Sequence, residues 1–342
     1  NGDVATAAVF IKNEDAKDKG VLHVTVRRTK PHKEKLYFEL DTYDFHLVPR
    51  KLALNDPLIW KSNFIGGSRV YQLVKRLSEN TSLEEYLKER KNNGWVISEG
   101  FTAATKGDIE KLKRLKDIQE FEGYKIFNER LQASFISNKR FLPTKALTGK
   151  GIDISQIEKE APVDLFHSKG NPGVYKAPHI LIKEAIVDMA IPMAFSNEDL
   201  SFKHRIVGIH APQKSIEELK SLYHILSNSK TNLFFFAGTS SEFMVNRSSS
   251  FLKKDLDSFR IPQNGQEFDL GFSEKILIDD FWNFLLEFRR NGEESKVATQ
   301  NVTPKELKKY SRVYCEILGK VYPSLKPYQY FETSSYICFP FY

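Results

Sequence analysis

The sequence predicts a mixed α+β protein. Short β-rich runs crowd the first sixty residues, while capped amphipathic patterns typical of helices occur in the middle and in the last third of the chain. Of the 342 residues, 41% are hydrophobic and 13% aromatic, which is enough apolar material for an ordered chain of one large domain or of two or three modules. We expect most of the 26 Phe and 14 Tyr to be core residues, because large aromatic side chains are usually buried.

Residues 1–60 contain four short runs rich in β-branched and aromatic residues, separated by the charged turn 13–20 and by Pro31. Such runs predict strands. The runs are VATAAVFIK, VLHVTVRR, KLYFEL and DFHLV.

Helix signals follow. Residues 68–79 place apolar side chains on one face, and a second helix is predicted from Ser82, with Glu85 completing a capping box, to a stop at Gly94. A third begins with the pair Ser215 and Glu218. Between Trp95 and Pro262, polar loops alternate with strand-like pieces, which are WVISEGF, YKIF, VDLF, HILIKEAIV and HRIVGIHA.

After Pro262 the pattern is strongly helical. Residues 273–290 form one amphipathic pattern, and Thr303 with Glu306 forms a capping box that has Pro304 at the first helical position. These two helices are expected to pack together. The final YQYFETSSYICFPFY is aromatic and β-prone, so it predicts further strands.

The net charge of +7 and the pI of about 9.0 suit a polyanionic partner, because Lys and Arg release counterions when they neutralise phosphates. Cys315 and Cys338 form no CxxC pair, and the eight histidines are dispersed, so no metal or catalytic site is predicted. His204 and His210 fall on one strand face but would need further ligands. Without a signal peptide or membrane-spanning apolar run, we expect a cytoplasmic protein with no membrane partner.

The stretch 201–262 carries a family resemblance. A leucine-rich helix ends near Asn228-Ser229, the aromatic run 233–236 follows, and after a polar loop the segment 256–262 leaves through a Leu-x-x-hydrophobic-Ile-Pro pattern. This order resembles the C-terminal half of the DNA adenine amino-methyltransferases of restriction-modification and phage-defence systems, of the type IIG and type I-like kinds.

The resemblance implies a division of the chain. Residues 1–60 would be the last strands of a methyltransferase catalytic sheet, residues 61–262 a loop-rich target-recognition domain, and residues 263–342 a helical C-terminal part. Double-stranded DNA would be the partner, with restriction or specificity subunits as further partners. Loops carried on a rigid sheet suit this role, because they can reach base edges.

The catalytic motifs of that family do not occur in the chain. Its Asn-Pro-Pro-aromatic loop and glycine-rich AdoMet loop have only distant counterparts, at 170–173 and 147–151. The resemblance therefore implies a catalytic half upstream of Asn1 and no cofactor in this chain, with AdoMet bound by the parent enzyme. We expect this chain alone neither to bind AdoMet nor to methylate DNA.

Three segments are candidate DNA contacts. Residues 98–106 match a Gly-hydrophobic-x-Thr-Gly loop of the family, although Ala103-Ala104 departs from the second glycine; residues 137–150 are dense in cations; and residues 240–254 combine Arg, Asn and Ser in a polar loop. Arg and Asn can read bases, and Ser, Thr and Lys can hold phosphates. The candidate contacts are Thr102, Thr105, Lys106, Lys139, Arg140, Lys145, Lys150, Asn246, Arg247 and Ser248.

Two alternatives remain open from the sequence. The chain could be a protein-interaction module that docks a restriction, translocation or specificity partner, or an enzyme domain whose active site carries no recognisable motif. The basic loops favour DNA over a protein partner, and the salt dependence of binding separates these possibilities.

Overall fold

The computed structural model contains both helices and strands, which confirms the mixed α+β class. Contacts divide the chain into a first unit (residues 1–15 and 75–267) and a second unit (residues 16–74 and 268–342). The predicted completion of a methyltransferase sheet stays a prediction. The residues that the structure describes are 8–11, 20–25, 44–187, 190–227, 230–241, 243, 251–263, 265, 267–291, 296, 303–333 and 337–342.

The helices are short except near the C-terminus. In chain order they are α1 (Arg50–Asn55), α2 (Leu58–Ile65), α3 (Ser68–Ser78), α4 (Leu83–Arg90), α5 (Lys106–Asp117), α6 (Phe121–Leu131), α7 (Ser134–Ser137), α8 (Ile216–Ser227), α9 (Lys230–Thr239), α10 (Lys253–Asp257), α11 (Phe272–Asn291) and α12 (Pro304–Gly319).

Most strands belong to the first unit. In chain order the strands are β1 (Gly20–Val24), β2 (Phe45–Pro49), β3 (Thr81–Ser82), β4 (Val96–Glu99), β5 (Thr102–Ala103), β6 (Arg140–Leu142), β7 (Leu147–Thr148), β8 (Gly151–Ile152), β9 (Phe166–Ser168), β10 (His179–Lys183), β11 (Met193–Ser196), β12 (Leu200–Phe202), β13 (Ile206–His210), β14 (Arg260–Ile261), β15 (Phe331–Glu332) and β16 (Ile337–Cys338).

The centre of the first unit is an antiparallel sheet with the strand order β11-β10-β13-β4. The sequence predicted three of these strands, because HILIK, RIVGIHA and WVISE are apolar runs bounded by polar or glycine residues. One sheet face covers a core of aromatic and aliphatic side chains that includes Phe101, Tyr175, Leu181 and Phe202. These four side chains are fully buried, so the sheet is a rigid base for the loops at its ends.

Helices α5 and α6 pack against each other as a pair. Leu112 and Leu115 of α5 pack against Phe127 and Leu131 of α6. The strand predicted for YKIF was wrong, since these residues lie in α6. Phe127 and Leu131 are four residues apart, so the helical period brings both side chains to α5. The four-residue run YKIF is too short to contain this spacing.

Two of the three predicted capping boxes are formed at helix starts, whereas Glu218 of the third accepts hydrogen bonds from Tyr86 and Arg90. Ser82 and Glu85 form the predicted box at α4, with the Glu85 N–H donating to Ser82 Oγ at 3.1 Å. Thr303 and Glu306 form the predicted box at α12. In each box the hydroxyl and carboxylate satisfy backbone N–H groups that the first helical turn leaves without partners.

In the second unit, β1 pairs antiparallel with β2, and α11 contacts α12. The Lys309 ammonium lies 2.6 Å from the Asp280 carboxylate between these helices, which confirms that they pack together. Of the N-terminal strand runs, VATAAVFIK has no strand in its described residues 8–11, and KLYFEL lies outside the described residues. Within the described part of the chain, no helix is both long and apolar enough to cross a bilayer.

Candidate functional site

A pocket of about 240 Å³ opens at the end of β4, an edge strand of the central sheet. Ser98, Glu99, Gly100 and Thr102 form one wall. The remaining wall is formed by side chains and backbone from three other segments, which are Ser168 with Gly170, His204 and Lys253. The first part of the segment 98–106, which the sequence singled out, therefore lines the pocket.

Two glycines let backbone segments meet at this pocket. A Cβ on Gly100 would lie 2.1 Å from the Phe202 carbonyl oxygen, and the Gly100 N–H donates to the Ile206 carbonyl at 3.0 Å. Gly170 has φ of +61°, and a Cβ there would lie 2.4 Å from the Glu99 carbonyl oxygen. Because any side chain would separate these segments, glycine at both positions determines the shape of the pocket.

Hydroxyl groups hold the pocket walls together. Ser98 Oγ donates to the Glu99 carbonyl at 2.9 Å and accepts from the Asn171 N–H at 3.1 Å. Thr102 Oγ1 accepts from the Ser168 N–H at 3.0 Å. The fragment 170–173 thus forms a turn packed on β4.

The two other candidates from this segment occupy the start of α5. Thr105 caps the helix, since its Oγ1 accepts from the Asp108 N–H at 3.1 Å. The Asp108 carboxylate also lies 2.8 Å from His167 Nδ1. The hydrogen bonds that Thr105 donates to this carboxylate lower the pKa of Asp108 to about 2. Lys106 is the exposed first residue of α5. Thr105 is therefore committed to capping, whereas the Lys106 side chain is exposed to solvent.

Two carboxylates approach one another beside the pocket. Glu99 is opposite Val207 in the sheet, and Val207 is opposite Ile182. Glu184 follows the last residue of β10, and its carboxyl is close enough to Glu99 to be affected by the Glu99 charge. Glu184 is buried, with only 6% of its surface exposed.

Burial and, to a lesser extent, the charge of Glu99 raise the pKa of the Glu184 carboxyl to about 7, although the Arg205 and Lys253 cations act in the opposite direction. The Lys253 ammonium lies 2.6 Å from the Asp257 carboxylate, so its charge is shared. The Glu184 carboxyl therefore stays protonated to a higher pH than an ordinary glutamate. Carboxylates beside the pocket favour a ligand that donates N–H groups over a phosphate.

The described histidines are not clustered with other candidate metal ligands. His204 precedes β13 and is exposed at the pocket, whereas His210 Nδ1 lies 3.0 Å from the Pro178 carbonyl oxygen. Among the described residues, no group of three or more His, Cys, Asp and Glu side chains is arranged to hold a metal ion.

Two of the predicted phosphate contacts are engaged in ion pairs. Lys139 pairs with Asp199, and Arg140 Nη1 lies 2.6 Å from Glu198 Oε2. The cations precede or begin β6 and the carboxylates precede β12, which pairs in parallel with β6. The positive charge expected at this place from the sequence is therefore balanced locally.

Lys145 and Lys150 differ from that pair. Both are exposed, and among the described residues neither lies within ion-pair distance of a carboxylate. Lys150 occupies the turn between β7 and β8, where Gly151 has φ of +100° and the Lys150 N–H donates to Thr148 Oγ1 at 3.2 Å. Residues 144–152, which we name the lysine hairpin, present two uncompensated cations.

Asn246, Arg247 and Ser248 lie outside the described residues, so their role stays a prediction. The chain on both sides of them is anchored. Phe243 is 2% exposed and Phe251 is fully buried.

The sequence analysis missed Glu99 and Glu184 as candidates. A signal was present for Glu184, because it directly follows the apolar run HILIK, where a charge is unusual next to a buried strand. No comparable signal marks Glu99, which is the charged last residue of β4. Its proximity to Glu184 depends on strand register.

No model of a known protein family matches this chain, and no curated protein is significantly similar to it. A functional assignment therefore rests on the pocket, on the lysine hairpin and on the order of motifs between residues 201 and 262.

Proposed function

We propose that this chain is the DNA-binding, target-recognising part of an AdoMet-dependent DNA adenine methyltransferase of the restriction-modification or phage-defence type. The observation that carries the proposal is the pair of exposed cations on the lysine hairpin, Lys145 and Lys150, in a chain with net charge +7. Cations without carboxylate partners neutralise DNA phosphates most effectively, because no internal ion pair must be given up.

Under this proposal, the chain holds DNA and selects sequence, while the chemistry belongs to other residues of the parent enzyme. That enzyme would transfer a methyl group from AdoMet to the exocyclic amine of a flipped adenine. The lysine hairpin would hold phosphates, and the loop that contains Asn246 and Arg247 would reach base edges, since Arg and Asn form bidentate pairs with guanine and adenine.

A second function, the docking of a restriction or specificity subunit, is favoured by one specific observation. Ile118 is 60% exposed, Phe121 is 70% exposed and Ile126 is 61% exposed where α5 turns into α6. Large apolar side chains grouped at such exposure are typical of protein interfaces. Both functions can coexist, because this surface and the lysine hairpin use different residues.

Binding of duplex DNA as a function of salt concentration tests the proposal. The double variant Lys145→Ala/Lys150→Ala should weaken binding to every sequence alike, and the slope of log K against log salt should become shallower by about 1.8, or about 0.9 for each lost phosphate contact. The control Lys113→Ala/Lys214→Ala removes the same charge from two exposed sites and should keep the wild-type slope. An equal slope change in both variants would contradict the proposal, as would the absence of duplex binding.

A further inference from the structure

The C-terminal strand pair of the second unit is longer than its two named strands. Beyond β15 and β16, the Lys326 N–H donates to the Tyr342 carbonyl at 2.7 Å, and the Tyr342 N–H donates back at 3.0 Å. The Tyr328 N–H donates to the Pro340 carbonyl at 2.8 Å. Residues 326–332 and 337–342 therefore form one antiparallel ribbon, whose register shifts by one residue between Tyr328 and β15.

One side of this ribbon packs on α12. The ring of Phe341 stacks on Tyr314 of α12, with centroids 5.9 Å apart and planes at 21°. Tyr330 stacks on Phe339 at 5.3 Å, and Phe339 lies 6.4 Å from Phe341. These rings are partly buried, so they hold the ribbon against the helix.

The other side of the ribbon is exposed. Lys326 and Tyr342 are paired, so their side chains lie on the same side, and Tyr328 joins them because it is two residues from Lys326. Phe331 is paired with Cys338, which is four residues from Tyr342 along the same strand, so Phe331 also lies on this side. Tyr328 is 66% exposed, Phe331 52% and Tyr342 68%. We name this set, Lys326, Tyr328, Phe331 and Tyr342, the outer aromatic face.

Charge indicates what covers this face. Alternation places Glu332, the acidic residue of the ribbon, on the side opposite to Phe331, so the side chains of the outer aromatic face include a lysine and no carboxylate. The surrounding residues 303–342 contain six basic and three acidic side chains. A partner that combines flat apolar groups with negative charge matches both features, and unpaired nucleotides have this combination.

We propose that the outer aromatic face binds single-stranded nucleic acid, with bases stacked on Tyr328, Phe331 and Tyr342 and a phosphate at Lys326. Rings on a strand surface provide a stacking platform, and stacking tolerates every base because each has a π-face. The face uses none of the residues assigned to duplex DNA, so this inference does not depend on the proposed function.

The test uses the full chain and a fluorescently labelled single strand of twenty thymidines. Phe331→Ala and Tyr342→Ala should each weaken binding about 5- to 100-fold, the range for loss of one stacked base. Tyr342→Phe keeps the ring and should bind like the wild type. Phe331→Leu keeps apolar bulk without a ring, so it should fold normally and still bind weakly.

Two further variants localise the effect. Lys326→Ala should make the salt slope shallower by about 0.7, the value for one phosphate of a single strand. Ile118→Ala/Phe121→Ala removes exposed apolar groups from the first unit and should leave single-strand affinity unchanged.

Absence of saturable binding to the thymidine strand would overturn the inference, as would equal affinity of wild type and Phe331→Leu. A drop in molecular mass on Tyr342→Ala, measured by light scattering, would show instead that a second copy of the chain covers the face. Single-strand binding that survives Lys145→Ala/Lys150→Ala while duplex binding is lost would separate this site from the proposed function.

Discussion

Arg140 Nη1 lies 2.6 Å from Glu198 Oε2, although 58 residues of chain separate them. Both side chains are largely exposed, at 48% and 62%, so the pair contributes little to stability but cancels the local charge. The parallel pairing of β6 with β12 creates this relationship, in which Arg140 is opposite Leu200.

Arg140→Ala should therefore change the free energy of unfolding by less than about 1 kcal/mol. It should also alter the salt slope of duplex DNA binding less than Lys145→Ala, because Glu198 already compensates the guanidinium. Urea denaturation and a salt titration of both variants measure these effects. A full unit of slope lost with Arg140→Ala would show that Arg140 leaves Glu198 to contact a phosphate.

The pKa of Glu184 predicts a pH-dependent stability. The folded protein raises this pKa to about 7 from an ordinary value of 4.5, so between these two pH values the folded state binds more protons than the unfolded state. The stability contribution of this group is therefore greatest at low pH, and it decreases as pH rises from about 4.5 to about 7, by at most about 1.4 kcal/mol per pH unit.

Glu184→Gln removes that titration and should flatten the decrease, as measured by denaturant unfolding at several pH values. The control Glu110→Gln removes a carboxylate from an exposed position on α5 and should retain the wild-type pH dependence. If wild type and Glu184→Gln lose stability in parallel, a different group titrates.

Gly100→Ala tests the close approach that shapes the pocket. A Cβ there would lie 2.1 Å from a backbone oxygen of Phe202, so the backbone must shift, at a cost of about 1–3 kcal/mol in the free energy of unfolding. Gly149→Ala is a matched control, since no atom lies within 4 Å of its added Cβ. Thermal unfolding of both variants gives the comparison, and equal melting temperatures would show that the pocket wall adapts without strain.

Local signals in the sequence were sufficient for many elements. The capping boxes at Ser82 and Thr303 predicted the starts of α4 and α12, because a box requires only residues three apart. The long apolar runs likewise predicted β10 and β13. YKIF was assigned wrongly, because a four-residue apolar run does not distinguish strand from helix.

Features that depend on distant residues could not be predicted in this way. Glu99 and Glu184 come together only through the register of β4, β13 and β10. Asp199 and Glu198 neutralise Lys139 and Arg140 only because β12 lies beside β6. The expectation that aromatic residues are buried holds for Phe101 and Phe202 in the first-unit core, but the outer aromatic face departs from it.

Selection from a random duplex DNA library measures the central claim most directly. The account predicts that the full chain enriches one adenine-containing sequence motif, and that Arg247→Ala relaxes the preference at one base position by about 1–3 kcal/mol, the energy of a bidentate base contact. Retention of duplexes without any enriched motif would leave DNA binding but contradict target recognition, and failure to retain duplex DNA at low salt would contradict the account as a whole.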